Sequence, residues 1–380
     1  MRILELTNYT AGGCGVGARV KQEAVLLAQK GHEVRIFSSC LTKGSSDIAP
    51  REDKVGGVKI MRFPARKLGG ESYLSWNFEK EARAFKPEVM IVHSYRHTHT
   101  TRALTLGEKI GVPVILVTHA PFLSDNSSRS LLSKWSVQFY DKFIGPTTLN
   151  RFFKIVIIAP WERAYLDKMG VHKDKIAYVP NGIMPAFFAL PQEKEEHKIL
   201  FFGRVSPVKN IEVLIEAFAL IKDKKAILEI VGPAEADYLA KLQRIVKERH
   251  LGSRVIFSEA IYDMVKKIHK IDSGKVYVLP SVREGMPQTL IEAMSRGRLV
   301  IGSDNEGNRA IINDGKNGFL FKTDDAVQLS VILDNVLAKP YENIRKQARE
   351  DMKKFAWTNI IEDMCDVIAQ AVRQQNKPAK

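Results

Sequence analysis

The feature that most constrains this chain is an alternation of short apolar runs with segments of helical period, met twice over 380 residues. Residues 2–6 (RILEL) read as a buried strand. A glycine-rich turn, AGGCGVG at 11–17, leads into 18–29, where Val20, Ala24, Leu27 and Ala28 fall at helical spacing. Lys30-Gly31 closes that helix, because glycine accepts the left-handed backbone that ends one. Residues 34–38 form the next strand. A strand, helix and strand in this order pair in parallel, and a doubly wound sheet is the expected result. Runs at 88–93, 113–118, 154–159 and 175–179 continue the pattern, apolar nearly throughout, as strands covered on both faces must be.

Pro180-Asn181-Gly182 is a turn signal, and the polar stretch LPQEKEEHK at 190–198 reads as a linker. Beyond it the alternation restarts. Strands are expected at 198–202, 227–231, 255–258, 276–279 and 299–302. Helices are expected at 210–222, 236–250, 260–270 and 287–296, with charged helical segments from 325 to 375. The fold class is α/β: two Rossmann-like domains, 1–190 and 191–356, with a cleft between them. A C-terminal helix at about 357–380 is expected to pack back on the first domain. The length suits two hydrophobic cores of roughly 150 residues each better than one.

A composition of 45% hydrophobic and 27% charged residues excludes a disordered chain. The net charge of +15 is uneven: residues 1–190 hold 27 Lys and Arg against 16 Asp and Glu, the rest 31 against 27. A basic half attracts phosphates, nucleic acid or anionic membranes, and equally serves as solvated surface charge. Cys14, Cys40 and Cys365 lie far apart, with no metal spacing and no disulfide framework, which fits a reducing compartment. The N-terminus has an acidic residue at position 5 and no long apolar run, so no signal peptide is read there. Nowhere are there 18 consecutive apolar residues. The expected location is cytoplasmic, with membrane contact limited to the periphery.

Two segments carry chemistry. PSVREGMPQTLIEAMSRG at 280–297 joins a strand end to a helix, with Pro287 in the expected first turn, where its missing N–H costs nothing. A helix N-terminus after a strand favours anions. Glu284 in the loop and Glu292 in the helix offer lone pairs suited to sugar and ribose hydroxyls. FFGRVSPVKN at 201–210 also follows a strand, at the sheet edge where ligands of open α/β folds bind. Its Arg204 and Lys209 offer two cations for a diphosphate. Taken singly, each of these residues also reads as ordinary surface charge.

With these segments in place, the chain resembles the retaining GT-B glycosyltransferases of family GT4. GRVSPVKN, the glutamate-pair segment and EGNRAIINDGKNGFLF (306–321) carry the likeness, with GGCGVGARV and VPNGI in family order. The resemblance implies that Arg204 and Lys209 hold the donor diphosphate. It implies that Glu284 meets the sugar hydroxyls, that Glu292 meets the ribose, and that backbone around Gly285 and Met286 approaches the sugar. Base contacts come from backbone near Ile261, and Gly15 passes close to the distal phosphate. His119 matches an active-site histidine, so catalysis is assigned to His119 and Glu284, with His93 and Arg19 on the acceptor side. The chain departs from the pattern at Ala310, where many members carry a glutamate. The implied reaction moves a hexose-type sugar from a UDP- or GDP-sugar to a hydroxyl of a lipid or glycan, with retention. No Asp-x-Asp motif calls for a metal, and no cofactor is implied, since the donor is a substrate.

Weaker signals point elsewhere. GCGVGA at 13–18 fits a dinucleotide fingerprint, but the second strand ends in FSSC with no acidic residue for a ribose. His93, His97 and His99 cluster after a strand and read as a metal site, an acceptor-side lining or plain strand-end polar residues. The stretch 130–144 places Leu131, Leu132, Trp135, Phe139 and Phe143 on one helical face flanked by Lys134 and Lys142. It reads either as an interfacial membrane helix on an anionic surface or as a helix packed on the sheet. No nucleic-acid-binding pattern is present. The competing functions are a nucleotide-sugar epimerase, a sugar phosphorylase, and a non-catalytic nucleotide-sugar binder suggested by Ala310.

Overall fold

The computed structural model describes residues 1–122 and 131–375. The chain forms two compact units, Met1–Asn181 with the chain from Thr358 onward, and Gly182–Trp357.

The first unit is built on an eight-stranded sheet. Its strands are β1 (Arg2–Leu6), β2 (Glu33–Ser39), β3 (Glu52–Val55), β4 (Val58–Phe63), β5 (Val89–His93), β6 (Val114–Val117), β7 (Lys154–Ile157) and β8 (Ile176–Tyr178). Their order is β8-β7-β6-β5-β1-β2-β4-β3, parallel except for the β3–β4 hairpin. That hairpin is absent from the sequence reading. Its signal is Gly56-Gly57 between Val55 and Val58, where both glycines take positive φ (+50° and +85°) in a two-residue loop. Helix α1 (Gly15–Gln29) buries Val20, Ala24 and Leu27, the expected stripe. Cys14 caps it, its Sγ accepting from Gly17 N at 3.4 Å. Helix α2 (Thr98–Ile110) is a second element that the sequence reading lacks, because polar threonines and histidines open it. Trp76 anchors the core, stacked on Phe63 at 5.7 Å and on His99 at 5.6 Å.

The second unit carries six parallel strands: β9 (Glu196–Phe202), β10 (Ile227–Val231), β11 (Val255–Ser258), β12 (Gly274–Leu279), β13 (Leu299–Ser303) and β14 (Phe319–Phe321). Their order is β11-β10-β9-β12-β13-β14. The helices that position the site are α3 (Ile211–Leu220), α4 (Met264–Ser273), α5 (Gln288–Ser295) and the single turn α6 (Glu306–Arg309). The units divide at Asn181–Gly182, inside the turn signal, not in the polar stretch after Leu190. The reason is Arg296. Its buried guanidinium donates to the carbonyls of Phe187, Leu190 and Pro191 at 2.7–2.9 Å and pairs with Asp272. The polar stretch is therefore pinned to the second unit at its start and enters β9 at its end. The last helix, α7 (Trp357–Gln375), belongs to the first unit from Thr358, and Lys30 pairs with its Glu362. Residues 376–380 of the expected helix lie outside the described residues.

The stretch 131–151 is a helix (Leu131–Phe139), a π-turn (Tyr140–Ile144) and a second helix (Gly145–Arg151). Trp135, Phe139 and Phe143 are 73%, 60% and 59% exposed, so this face does not pack on the sheet. Ser130 and the side chains of Leu131, Leu132 and Lys134 lie outside the described residues.

In both sheets the first strand is central, and later strands are added on one side and then the other. Loops leaving the two neighbours of that junction diverge and leave room at the carboxyl edge. In the second unit, Gly232 follows β10 with φ +146°, and a Cβ there would stand 1.9 Å from the carbonyl oxygen of Gly203. Gly232→Ala is expected to lower the unfolding free energy by roughly 2–4 kcal/mol, since it adds backbone strain and forces the loops after β9 and β10 apart. Gly252→Ala, where a Cβ meets nothing within 4 Å, is expected to stay within about 0.5 kcal/mol in the same denaturant titration.

Candidate active site

The loops after β9 and β12 flank the junction of the second sheet, and a backbone bond from Val282 N to Val208 O (3.0 Å) ties them together. Lys209 closes a short 3₁₀ turn, Pro207–Lys209, and its Nζ lies 2.5 Å from Glu284 Oε1. Both side chains are mostly buried, 19% and 12% exposed. Arg204 is looser: it is 45% exposed and 3.7 Å from Glu235. Gly307, at the start of α6, explains how Glu284 is held. A Cβ at 307 would come within 2.4 Å of the Glu284 carbonyl oxygen, so only glycine lets α6 pack there. The sequence signal was a glycine four residues past a strand end, in a segment otherwise used only for the family resemblance.

Pro287 sits one residue ahead of α5, its carbonyl accepting from Leu290 N and Ile291 N at 3.1 and 3.2 Å. Glu292 is not a surface helix residue. It is 4% exposed, accepts from Gln288 Nε2 at 3.2 Å, and pairs with Lys267 of α4. Lys267 is a site residue that the sequence reading missed. It lies in α4, remote in sequence from the motif, and only folding brings it to Glu292. The Tyr277 hydroxyl fastens this corner, donating to Phe202 O (3.0 Å), with Thr289 Oγ1 2.6 Å away. Met286 is buried, and Gly285 and Ile261 are half-buried, Ile261 in the loop between β11 and α4. Ala310 follows α6, exposed and without any acceptor to offer.

The first unit carries its own group of residues at the carboxyl edge of β1, β5 and β6. Gly15 opens α1 with open space around its Cα, whereas Gly17 is the glycine that close packing requires: a Cβ there would stand 2.4 Å from Tyr9 O. His119 lies just beyond β6, and both it and Ala120 hold positive φ (+58° and +53°). Buried Glu162 braces this strained turn, accepting from Thr118 Oγ1 (2.5 Å), Ala120 N (3.0 Å), Ile158 N (2.8 Å) and Ala159 N (3.1 Å). Burial pushes the Glu162 carboxyl up to about 7, with the four donors pulling the other way. His93 Nδ1 lies 3.0 Å from His119 Nε2, and its Nε2 lies 3.1 Å from Glu5 Oε2.

Two expectations are corrected here. His93 is fully buried and Arg19 is 3% exposed, so neither side chain can touch an acceptor. The Arg19 guanidinium is spent inside the unit, on Val179 O (3.1 Å), Pro180 O (2.9 Å), Asn181 Oδ1 (3.1 Å) and Glu23. The histidines do not gather as one ligand set: His99 Nε2 donates to His93 O at 3.0 Å, and His97 Nδ1 accepts from Asn8 Nδ2 at 2.8 Å. The group among the described residues with metal-like spacing is Glu5, Glu23 and His93, whose ligand atoms lie within 4.8 Å of one another. Arg19 already supplies a positive charge there, paired with Glu23.

The fold is that of the GT-B glycosyltransferases. Residues 13–187 match the family described as Glycosyltransferase Family 4, and residues 185–356 the family described as Glycosyl transferases group 1. The chain belongs to the group 1, family 4 glycosyltransferases. An uncharacterized glycosyltransferase of Methanocaldococcus jannaschii is 25% identical over 389 residues, 96% of each chain. Among solved structures, sucrose-phosphate synthase from Thermosynechococcus elongatus superposes with a TM-score of 0.79 at 19% identity, over 98% of this chain and 99% of that one. HepE of Anabaena, in complex with UDP and glucose, does so with a TM-score of 0.74 at 15% identity, over 97% and 100%. At these identities the structural likeness is one of fold.

Burial, with Lys43 and Arg96 adding to it, lowers the pKa of His97 to about 4. The ring is therefore neutral when folded and free to protonate below about 6.5 when unfolded. The unfolded chain then binds more protons, so this stability is present above pH 6.5 and is lost as pH falls toward 4. Between pH 6.5 and 4, thermal unfolding of the wild type is expected to lose roughly 1–3 kcal/mol more than that of His97→Gln. Parallel pH profiles for the two proteins would remove His97 as the cause.

Proposed function

We propose that this glycosyltransferase moves a hexose-type sugar from a UDP- or GDP-sugar to an acceptor hydroxyl with retention of anomeric configuration. The observation that carries the reading is the pair of internal ion pairs, Lys209–Glu284 and Lys267–Glu292, at the sheet junction of the second unit. Each supplies a cation and a carboxylate, which match the phosphates and hydroxyls that a sugar nucleotide carries. Without a ligand the charges neutralise each other. With a donor, Lys209 turns to the diphosphate and Glu284 to the sugar hydroxyls, while Glu292 accepts from the ribose. Backbone at Gly285 and Met286 meets the sugar, backbone near Ile261 meets the base, and Gly15 at the N-terminus of α1 is assigned the distal phosphate.

Cleavage of the bond from anomeric carbon to phosphate oxygen leaves a nucleoside diphosphate. Arg204 and Lys209 stabilise its growing charge electrostatically, and His119 faces the reacting sugar. Retention and independence of a metal are part of the proposal, resting on the family resemblance and on the lack of an Asp-x-Asp motif. The exposed Trp135, Phe139 and Phe143, with Lys142 over the Phe143 ring, support an acceptor on an anionic lipid surface.

UDP or GDP is expected to raise the unfolding temperature, since a ligand that binds only the folded chain stabilises it by mass action. Lys209→Ala is expected to lower kcat/KM for the donor by about 10²–10³-fold, and the more exposed Arg204→Ala by about 10-fold. Nucleoside diphosphate release separates the alternatives: an epimerase changes the sugar without releasing it, and a pure binder is stabilised without turnover. No stabilisation by UDP, GDP or ADP, with no donor consumed, would overturn the reading. The wild type is further expected to sediment with vesicles containing anionic phospholipid, and the triple variant Trp135→Ser, Phe139→Ser, Phe143→Ser to bind them about tenfold more weakly. Equal binding by the two proteins would assign the aromatic face another role.

A further inference from the structure

Glu5, His93 and His119 stand on or just beyond three neighbouring strands, β1, β5 and β6, and form one line of hydrogen bonds. Glu5 and His93 are fully buried, while the edge of His119 is partly accessible. We propose that Glu5 and His93 are positioning residues that hold His119 in the tautomer with its proton on Nδ1, acting through the bonds Glu5–His93 and His93–His119. The inference deepens the assignment of His119 to the reacting sugar and rests on it.

A neutral imidazole has one N–H and one lone pair, so each ring in such a line passes on the direction of the bond before it. Burial holds both rings neutral, and Arg19 opposes their protonation further. The direction is therefore decided at Glu5. Glu5, Glu23 and His93 bring their polar atoms within 4.8 Å, and the cation beside them, Arg19, is paired with Glu23. Two carboxylates against one guanidinium, out of reach of water, leave one carboxyl holding a proton. Burial and the charge of Glu23 push Glu5 well above the usual carboxyl range, against the pull of Arg19. Glu5 then donates from Oε2 to His93 Nε2. His93 must carry its own proton on Nδ1 and donates it to His119 Nε2. His119 is left with its proton on Nδ1, pointing out of the line. No proton moves in this arrangement; it selects which nitrogen of His119 is a donor. An ionised Glu5 would reverse every bond and turn Nδ1 into an acceptor. The brace of Glu162 on the Thr118 hydroxyl and the Ala120 N–H fixes the turn that carries the ring, and the line fixes its polarity.

Long-range proton–nitrogen correlation NMR on the full chain with ¹⁵N-labelled histidine reads both tautomers, because protonated and bare ring nitrogens are well separated. His93 and His119 are both expected as Nδ1–H. The Nε2–H tautomer at His119 would overturn the proposal, and the wild-type spectrum alone decides this should a variant not fold. Glu5→Gln, whose amide N–H can also donate to His93 Nε2, is expected to keep the wild-type pattern and kcat. Glu5→Leu is expected to bring a mixed tautomer at His119 and a fall in kcat of about tenfold with little change in donor KM. A folded Glu5→Leu with an unchanged His119 tautomer would also overturn it. His119→Ala tests the reading beneath. Turnover that survives it alongside the expected tautomers rejects the role of His119 and leaves the line intact. Turnover lost with it, alongside an Nε2–H wild type, rejects the line and leaves that role intact.

Discussion

A parallel sheet delivers the carboxyl ends of all its strands to one edge, and every candidate site residue of this protein depends on that constraint. In the second unit, β9 and β12 are neighbours because the chain places β10 and β11 on one side of β9 and then returns to the other. The loops leaving β9 and β12 therefore meet, and Lys209 and Glu284 come together although 75 residues separate them in sequence. In the first unit the same reversal makes β1 and β5 neighbours, which brings Glu5 beside His93.

Gathering charges at a half-buried edge has an electrostatic cost, and the structure offsets it locally. Lys209 is paired with Glu284, Lys267 with Glu292, and Arg296 with Asp272. The first two pairs lie at the edge, and the third is fully enclosed and saturated by three backbone carbonyls. A saturated pair has no bonds left to exchange, whereas an edge pair can trade its internal partner for a ligand of like charge pattern.

The first unit solves a different problem. Its polar residues are buried more deeply, and His93, His99 and His119 are held neutral by burial. Neutral rings serve as hydrogen-bonding parts with a definite polarity. The left-handed backbone at His119 and Ala120 is strained, and the four donors on Glu162 supply the rigidity that keeps it.

Much of this was legible in the sequence. Runs of largely apolar residues mark the parallel strands, so β1, β10 and β11 could be delimited to the residue. Glycines and charges after strand ends marked the loops that carry Arg204, Lys209 and Glu284, and local order put Glu292 in the helix that follows. Elements with mixed polarity escaped: the β3–β4 hairpin, whose first strand faces solvent, and α2, whose first turn is polar. Tertiary structure alone decided which polar groups touch. Lys267 meets Glu292, Arg19 turns inward, and Glu5 lines up behind His93 and His119 through strand order and register, and no local pattern encodes these. A sequence records which residues can carry charge or a proton. Burial and the partners that folding supplies determine which of them do.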